Sequence, residues 1–327
     1  MLTLLPQALP GIRAMSVAAV RLIARAQRPF DVQNMNGAWA EMAWTTALAY
    51  RPGAIMSRRR RDLAMAGEDK RAIRGIISDL DGVLYRGDQP IAESVEAFKA
   101  WHARGVPYAF VTNNATKSAA QFAAKLQRMG VPTTAAQVFN AVSATASLMQ
   151  QRWRKGTRVF AIGEAPLFEA IEESGFTLAG DDAEVVVLGF DYALNYDKLR
   201  TAVRAALNGA SVVVTNPDLL TPADDGLEPC VGVLAAAVTA AVPAVEPIVV
   251  GKPQPFMVEA ALAHVGTDKS ETIMIGDQVA TDIIAGQRAG IRSFLVATGL
   301  PHAPVAGVTP DRVIASLRDL IDEVGRP

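Results

Sequence analysis

The sequence predicts an α/β protein: a wound parallel sheet, in a chain long enough for two domains, behind a basic N-terminal extension. Three observations carry this prediction. From residue 75 onward, short β-branched runs alternate with helical stretches of roughly ten to fifteen residues, as parallel strands joined by crossover helices require. Polar and charged residues cluster immediately after the apolar runs, where open parallel sheets bind ligands. The charge is divided: residues 1 to 74 carry 12 basic against 5 acidic side chains, and the remainder carries 20 against 28.

In chain order, strands are predicted over Gly75–Ser78, Pro107–Val111, Arg158–Ile162, Val185–Phe190, Ser211–Thr215, Pro247–Val250, Thr272–Ile275 and Arg292–Val296. Between them Ser94–Arg104, Ala119–Met129, Tyr196–Leu207 and Ala280–Ala289 place apolar residues three and four apart, the spacing of one helix face. Gly105, Gly130, Gly209 and Gly290 close these helix candidates, because a residue tolerant of positive φ ends the last turn. Val231–Val242 is apolar enough to suggest a membrane segment. It is short, Ala-rich and followed by Pro243, so a buried helix is expected.

The first 74 residues are a different kind of sequence. Arg13, Arg21, Arg25 and Arg28 sit in an Ala/Leu/Val background without acids, resembling a transit peptide, but serine is scarce and Arg21 interrupts the apolar stretch. The run Arg58–Arg61 lacks a following apolar region and reads as a solvated charge run. Residues 1–74 are therefore expected to be a disordered extension or to lie upstream of the true start, with Met56 and Met65 as alternative starts; organelle targeting is the lesser expectation, and a partner-binding arm the least. A cytoplasmic protein follows.

Half of the 327 residues are hydrophobic and 20% are charged, which supplies a core and excludes disorder across the whole chain. The single cysteine, Cys230, excludes an internal disulfide and favours a reducing compartment. A formal charge of −1 gives no reason to expect nucleic acid or an anionic membrane as partner. Cys230 has no histidine near it in sequence and reads as a partly buried thiol. His102, His264 and His302 have no metal partner at ligand spacing, and Trp101 and Trp153 read as packing residues.

Four strand ends carry chemistry. Asp79-Leu80-Asp81-Gly82 follows Ile76-Ile77-Ser78; Thr112-Asn113-Asn114 follows Phe110-Val111; Gly251-Lys252-Pro253 follows Ile248-Val249-Val250; and Gly276-Asp277 with Thr281-Asp282 follows Ile273-Met274-Ile275. Singly, each is ordinary: an Asp after a strand caps a helix, and Thr-Asn-Asn is turn composition. Together and in this order they resemble the four motifs of the haloacid dehalogenase (HAD) superfamily of phosphohydrolases, from about Gly75 to near the C-terminus.

That resemblance implies a Rossmann-like core and a mechanism. Asp79 would be the nucleophile, forming an aspartyl-phosphate, and Asp81 the acid and base that protonates the leaving alkoxide and deprotonates water. Mg²⁺ would take the carboxylates of Asp79 and Asp277 and the backbone carbonyl of Asp81. Lys252 would keep Asp79 ionised and offset phosphate charge, Thr112 and Asn113 would donate to the phosphate, and Asp282 would orient Lys252 or a metal-bound water. Asn114 is taken as structural. Asp81 also argues against dehalogenation, since dehalogenases of the superfamily lack this second Asp.

Spacing narrows the subclass. Only 30 residues, Gly82–Val111, separate the first motif from the second, whereas 137, Ala115–Gly251, separate the second from the third. A large insert at the later position resembles subclass IIA with its α/β cap of C2 type. The expected division is a core of residues 75–145 and 247–327 around a cap of residues 146–246. Gly189-Phe190-Asp191, Tyr196-Asp197-Lys198-Leu199, Thr215-Asn216-Pro217-Asp218 and Gly276-Asp277-Gln278 further resemble the NagD-like nucleotidases and p-nitrophenyl phosphatases. Two stretches depart: Ile91-Ala92-Glu93-Ser94 stands where the family often has Ile-Pro-Gly-Ala, and Pro229-Cys230-Val231-Gly232 where many members read Pro-Gly-x-Gly. The second faces the cap loop and bears on substrate choice.

The function implied is Mg²⁺-dependent hydrolysis of a small phosphorylated metabolite, a nucleoside monophosphate first, with phosphoglycolate, glycerol phosphate or pyridoxal phosphate as runners-up. Neither nucleic acid nor a membrane is expected as partner, and assembly as a homodimer is left open. The competing reading from another class is a catalytically silent binding protein, against which intact Asp79, Asp81, Lys252 and Asp277 argue.

Overall fold

The computed structural model of the chain describes residues 71–223, 226–297 and 305–325. Expectations for residues 1–70 and for His302 lie outside them. The first sheet is built from β1 (Gly75–Ser78), β4 (Tyr108–Thr112), β5 (Val138–Asn140), β13 (Thr272–Gly276), β14 (Arg292–Val296) and β15 (Arg312–Ile314), and a short antiparallel hairpin of β2 (Tyr85–Arg86) and β3 (Gln89–Pro90) follows β1. Its order is β15-β14-β13-β1-β4-β5, with every pairing parallel. A parallel sheet is buried on both faces, so its strands read as continuous apolar runs. Alternation nevertheless sorts the side chains: Ile76, Phe110 and Ile275 join the core on one face, while Ile77, Val111 and Met274 join the core on the other.

The first face is covered by α1 (Ala92–Ala103) and α2 (Ala119–Arg128), whose Phe98, Trp101, Phe122 and Leu126 are buried against it. The second is covered by α7 (Phe256–Val265) and α8 (Ile284–Ala289), through Met257, Val258, Ala261 and Ala285. Trp101 is thus a packing residue, held edge-on to Phe98 at 5.0 Å between ring centroids. Gly105, Gly130, Gly209 and Gly290 all take positive φ at helix ends, as expected.

The second sheet has the order β12-β9-β8-β6-β7, again all parallel. Its strands are β6 (Arg158–Ile162), β7 (Thr177–Leu178), β8 (Val185–Leu188), β9 (Ser211–Val214) and β12 (Ile248–Val249). Helices α3 (Ala141–Arg152), α4 (Ala165–Glu173), α5 (Tyr196–Leu207) and α6 (Val231–Ala241) alternate with them. The hairpin β10 (Leu220–Ala223) with β11 (Gly226–Pro229) precedes α6. The apolar stretch from Val231 is the buried helix the sequence predicts, with Leu234, Ala235 and Val238 in the interior. Among the described residues no helix is long and apolar enough to cross a membrane.

Two boundaries differ from the sequence reading. Residues 71–74, left in the extension, pack with the first sheet: Ile73 is buried in its core and bridges to Val324, and the Arg292 guanidinium donates to the carbonyls of Arg71 and Ala72. The run Pro247–Val250, expected to open the returning core, forms only the two-residue β12, which pairs with β9 of the second sheet. Pairing across sheets depends on contacts distant in sequence, which local pattern does not encode.

Candidate active site

Asp79 is the residue at which β1 leaves the sheet, and its N–H donates to the Ile275 carbonyl of β13 at 2.8 Å. Its Oδ1 receives the Lys252 ammonium at 2.6 Å, and the same ammonium donates to Asp282 Oδ1 at 2.6 Å. All three side chains are buried, Lys252 to 2% exposure. A cation so buried persists only when paired, and the two carboxylates raise the Lys252 pKa against the opposing effect of desolvation.

Asp282 is positioned by a wide turn. Residues Val279–Ile283 form a π-helical turn between β13 and α8, in which both Asp282 N–H and Ile283 N–H donate to the Gln278 carbonyl. The turn brings Asp282 back beneath the end of β13, where its Oδ2 accepts the N–H groups of Asp277 and Gln278 at 3.1 and 3.0 Å. Gly276 leaves room for this: a Cβ there would lie 2.1 Å from the Asp282 Cβ.

Asp277 completes the acidic group. Carboxylate oxygens of Asp79, Asp277 and Asp282 lie within 4.8 Å of one another. Asp282 has both oxygens engaged, so it is a weak ligand for a further cation. Asp277 differs, because its buried Oδ1 has no hydrogen-bond partner. Burial first, then Asp282, pushes the Asp277 carboxyl up to about 7. Burial likewise pushes Asp79 well above the usual carboxylate range, with Lys252 opposing and Asp282 and Asp277 adding to the rise. Hard oxygen donors that repel one another and leave one buried atom unpaired fit a small divalent cation.

The turn after Asp79 points Asp81 into the same cavity. Gly82 makes it possible: φ is +78°, and a Cβ would stand 2.1 Å from Asp277 Oδ2. Asp81 is half-buried, accepts a hydrogen bond from the Tyr85 hydroxyl at 3.3 Å, and has its pKa raised by burial.

At the end of β4, Thr112 is buried and lines the cavity, with its Oγ1 accepting the Asn114 N–H at 3.2 Å. The side chain of Asn113, expected to donate to phosphate, is engaged elsewhere. Its Oδ1 accepts the Lys252 N–H at 2.7 Å, and its Nδ2 donates to the Lys252 carbonyl and to Asp218 Oδ2, each at 3.0 Å. Asn114 also lines the cavity, its Oδ1 accepting from the N–H and hydroxyl of Thr116.

The structure therefore brings Asp79, Asp81, Thr112, Asn113 and Lys252 to one cavity, with Asp277 and Asp282 beside Asp79. It adds residues from outside the four motifs. Asp218 and Asn216 follow β9; Asn216 Nδ2 donates to the Asn113 carbonyl at 2.9 Å, and burial raises Asp218 to about 6. Tyr192, Phe190, Glu228 and Cys230 also line the cavity. Cys230 is partly buried, with its pKa pushed up to about 12 by burial, as an unreactive thiol should be.

A family model described as haloacid dehalogenase-like hydrolase matches residues 76–177, and one described as HAD-hydrolase-like matches residues 249–320. The 5′-nucleotidase YutF of Bacillus subtilis is 41% identical over 227 residues, 69% of this chain and 88% of that protein. The acid sugar phosphatase of Staphylococcus aureus is 33% identical over 228 residues, 69% of this chain and 87% of that protein. A single mutant of the thermostable NPPase from Geobacillus stearothermophilus matches with a TM-score of 0.70 and 38% identity, over 76% of this chain and 98% of that one. The p-nitrophenyl phosphatase from Archaeoglobus fulgidus gives a TM-score of 0.71 and 31% identity, over 77% and 99%.

Proposed function

Because the chain belongs to the haloacid dehalogenase-like hydrolases, in the NagD-like subclass IIA, and is a phosphatase, we propose that it hydrolyses small phosphomonoesters, nucleoside monophosphates first, through an aspartyl-phosphate with Mg²⁺ as cofactor. The observation that carries the mechanism is the ion pair of Asp79 with Lys252 beside the unpaired oxygen of Asp277. We read residues 71–145 and 250–327 as the catalytic core, the residues between 145 and 250 as the cap that closes over it, and the cytoplasm as its setting.

In the first step an Asp79 oxygen attacks phosphorus, and the bond to the leaving oxygen breaks as Asp81 delivers its proton there. A raised pKa suits Asp81 to hold that proton. In the second step Asp81 takes a proton from water, the water oxygen attacks phosphorus, and inorganic phosphate leaves with Asp79 restored. Lys252 and Asp282 fix the Asp79 carboxylate, and Thr112 offers its hydroxyl to the phosphoryl oxygens. Mg²⁺, held by Asp79, Asp277 and the Asp81 carbonyl, would neutralise phosphoryl charge and favour ionised carboxylates.

Similarity to a 5′-nucleotidase supports nucleoside monophosphates, and similarity to an acid sugar phosphatase supports sugar phosphates as a second reading. Hydrolysis of p-nitrophenyl phosphate with Mg²⁺ and with EDTA, followed by a panel of phosphorylated metabolites, tests both levels. Turnover that persists fully in EDTA would sink the metal-dependent mechanism.

A further inference from the structure

Resting on the phosphatase reading above, we propose that this site selects phosphomonoesters whose leaving group is uncharged and flat, with Tyr192 as the stacking face and Glu228 and Asp218 as charges that turn away a second anionic group. Tyr192 is 72% exposed although it lines the cavity that holds Asp79. Exposure of one aromatic is ordinary; the turn that presents it here is built with care. The ring meets Phe190 edge-on at 4.7 Å. Its backbone N–H donates to Glu164 Oε1 at 2.9 Å. Asp191 then locks the following residues, accepting the Ala193 N–H at 2.8 Å and the Lys198 ammonium at 2.6 Å. An aromatic face that lines the same cavity as Asp79 accepts any flat ring, because every base or nitrophenyl group has a π-face.

Charge on the same wall sets the second criterion. Among the described residues that line the cavity, Lys252 is the only lysine or arginine, and both Asp79 and Asp282 already claim its ammonium. Lys117 and Lys125 act on Asp81 from outside the lining, and Lys125 is committed to the Gly87 carbonyl and to Asp88. The lining instead includes the carboxylates of Glu228 and Asp218. A carboxylate or second phosphate on the leaving group meets like charge there, with no second lysine or arginine among the described lining residues, whereas hydroxyl and amino groups find acceptors. Phosphoglycolate is thereby disfavoured, while nucleoside monophosphates, glycerol phosphate and aromatic phosphates are admitted.

Three esters with alkyl leaving oxygens separate the two criteria: adenosine 5′-monophosphate, glycerol phosphate and phosphoglycolate, compared by kcat/KM with Mg²⁺. The wild-type enzyme should rank them in that order, with steps of about tenfold. Tyr192→Ala should lower the ratio of nucleotide to glycerol phosphate about tenfold, and Tyr192→Phe should restore it. Glu228→Gln should raise the ratio of phosphoglycolate to glycerol phosphate about tenfold. Wild-type hydrolysis of phosphoglycolate as fast as glycerol phosphate, or ratios unmoved by these variants, would overturn the proposal while leaving the phosphatase reading intact. Absence of metal-dependent turnover with all three esters would overturn both.

Discussion

Asn113 holds Lys252 by both of its backbone polar groups, accepting the N–H at 2.7 Å and donating to the carbonyl at 3.0 Å. The two residues are 139 positions apart, one at the end of a strand of the first sheet and the other just past an edge strand of the second. Gly251 permits the approach, since a Cβ there would lie 2.6 Å from Asn113 Oδ1. The clamp sets where the ammonium of Lys252 can reach, and so where Asp79 is held.

Asn113→Ala should lower kcat by about 10- to 100-fold while KM changes little, because a displaced Lys252 misplaces the nucleophile. Loss of its hydrogen bonds should also cost about 1–3 kcal/mol of stability. Steady-state kinetics and urea unfolding check this; an intact kcat with a raised KM would return Asn113 to the role of phosphate donor.

Asp282→Ala removes one of two carboxylates from the buried Lys252 ammonium and leaves two N–H groups without an acceptor. A buried charge that loses its partner costs about 3–5 kcal/mol. The urea midpoint should fall accordingly. A variant as stable as the parent would mean that Asp282 does not carry the network.

The metal-free protein should lose stability as pH rises from about 4 to about 7. The Asp277 carboxyl is raised to about 7 in the folded chain and Asp218 to about 6, against an ordinary 3.8. A carboxyl with a raised folded pKa stabilises the fold below its unfolded pKa, and that contribution vanishes as pH passes the folded value. Mg²⁺ binds the ionised form, so the rise in Tm on adding Mg²⁺ should grow over the same window. Asp277→Asn should flatten both dependences. A Tm increment that is constant with pH would refute this assignment of the metal ligands.

Gly82→Ala should raise the Mg²⁺ concentration needed for half-maximal activity, since the new Cβ would collide with Asp277 Oδ2 from a backbone at positive φ. Activity titrated against Mg²⁺ provides the readout, and an unchanged requirement would show that the Asp277 carboxylate moves aside without cost.

The residues proposed to carry the chemistry are legible because each follows an apolar run. Asp79 and Asp81 follow β1, Thr112 ends β4, and Asp277 ends the run from Thr272, so strand pattern alone places them at one sheet edge. The role of Asn113 was not legible, because it depends on Lys252 and Asp218, 139 and 105 positions away. Thr215-Asn216-Pro217-Asp218 stood out as a motif, yet nothing local shows that the chain after β9 folds back onto β4. The π turn at Val279–Ile283 was read as the start of an ordinary helix, since one extra residue in a turn barely disturbs apolar periodicity. Tyr192 gave no signal at all: its importance lies in facing the cavity, which is a property of the assembled loops.

The proposed mechanism turns on phosphorylation of Asp79. Rapid acid quenching during p-nitrophenyl phosphate turnover, followed by peptide mass spectrometry, should find phosphate on the peptide containing Asp79, and Asp79→Asn should show neither the adduct nor turnover. Full metal-dependent turnover by Asp79→Asn would contradict the account.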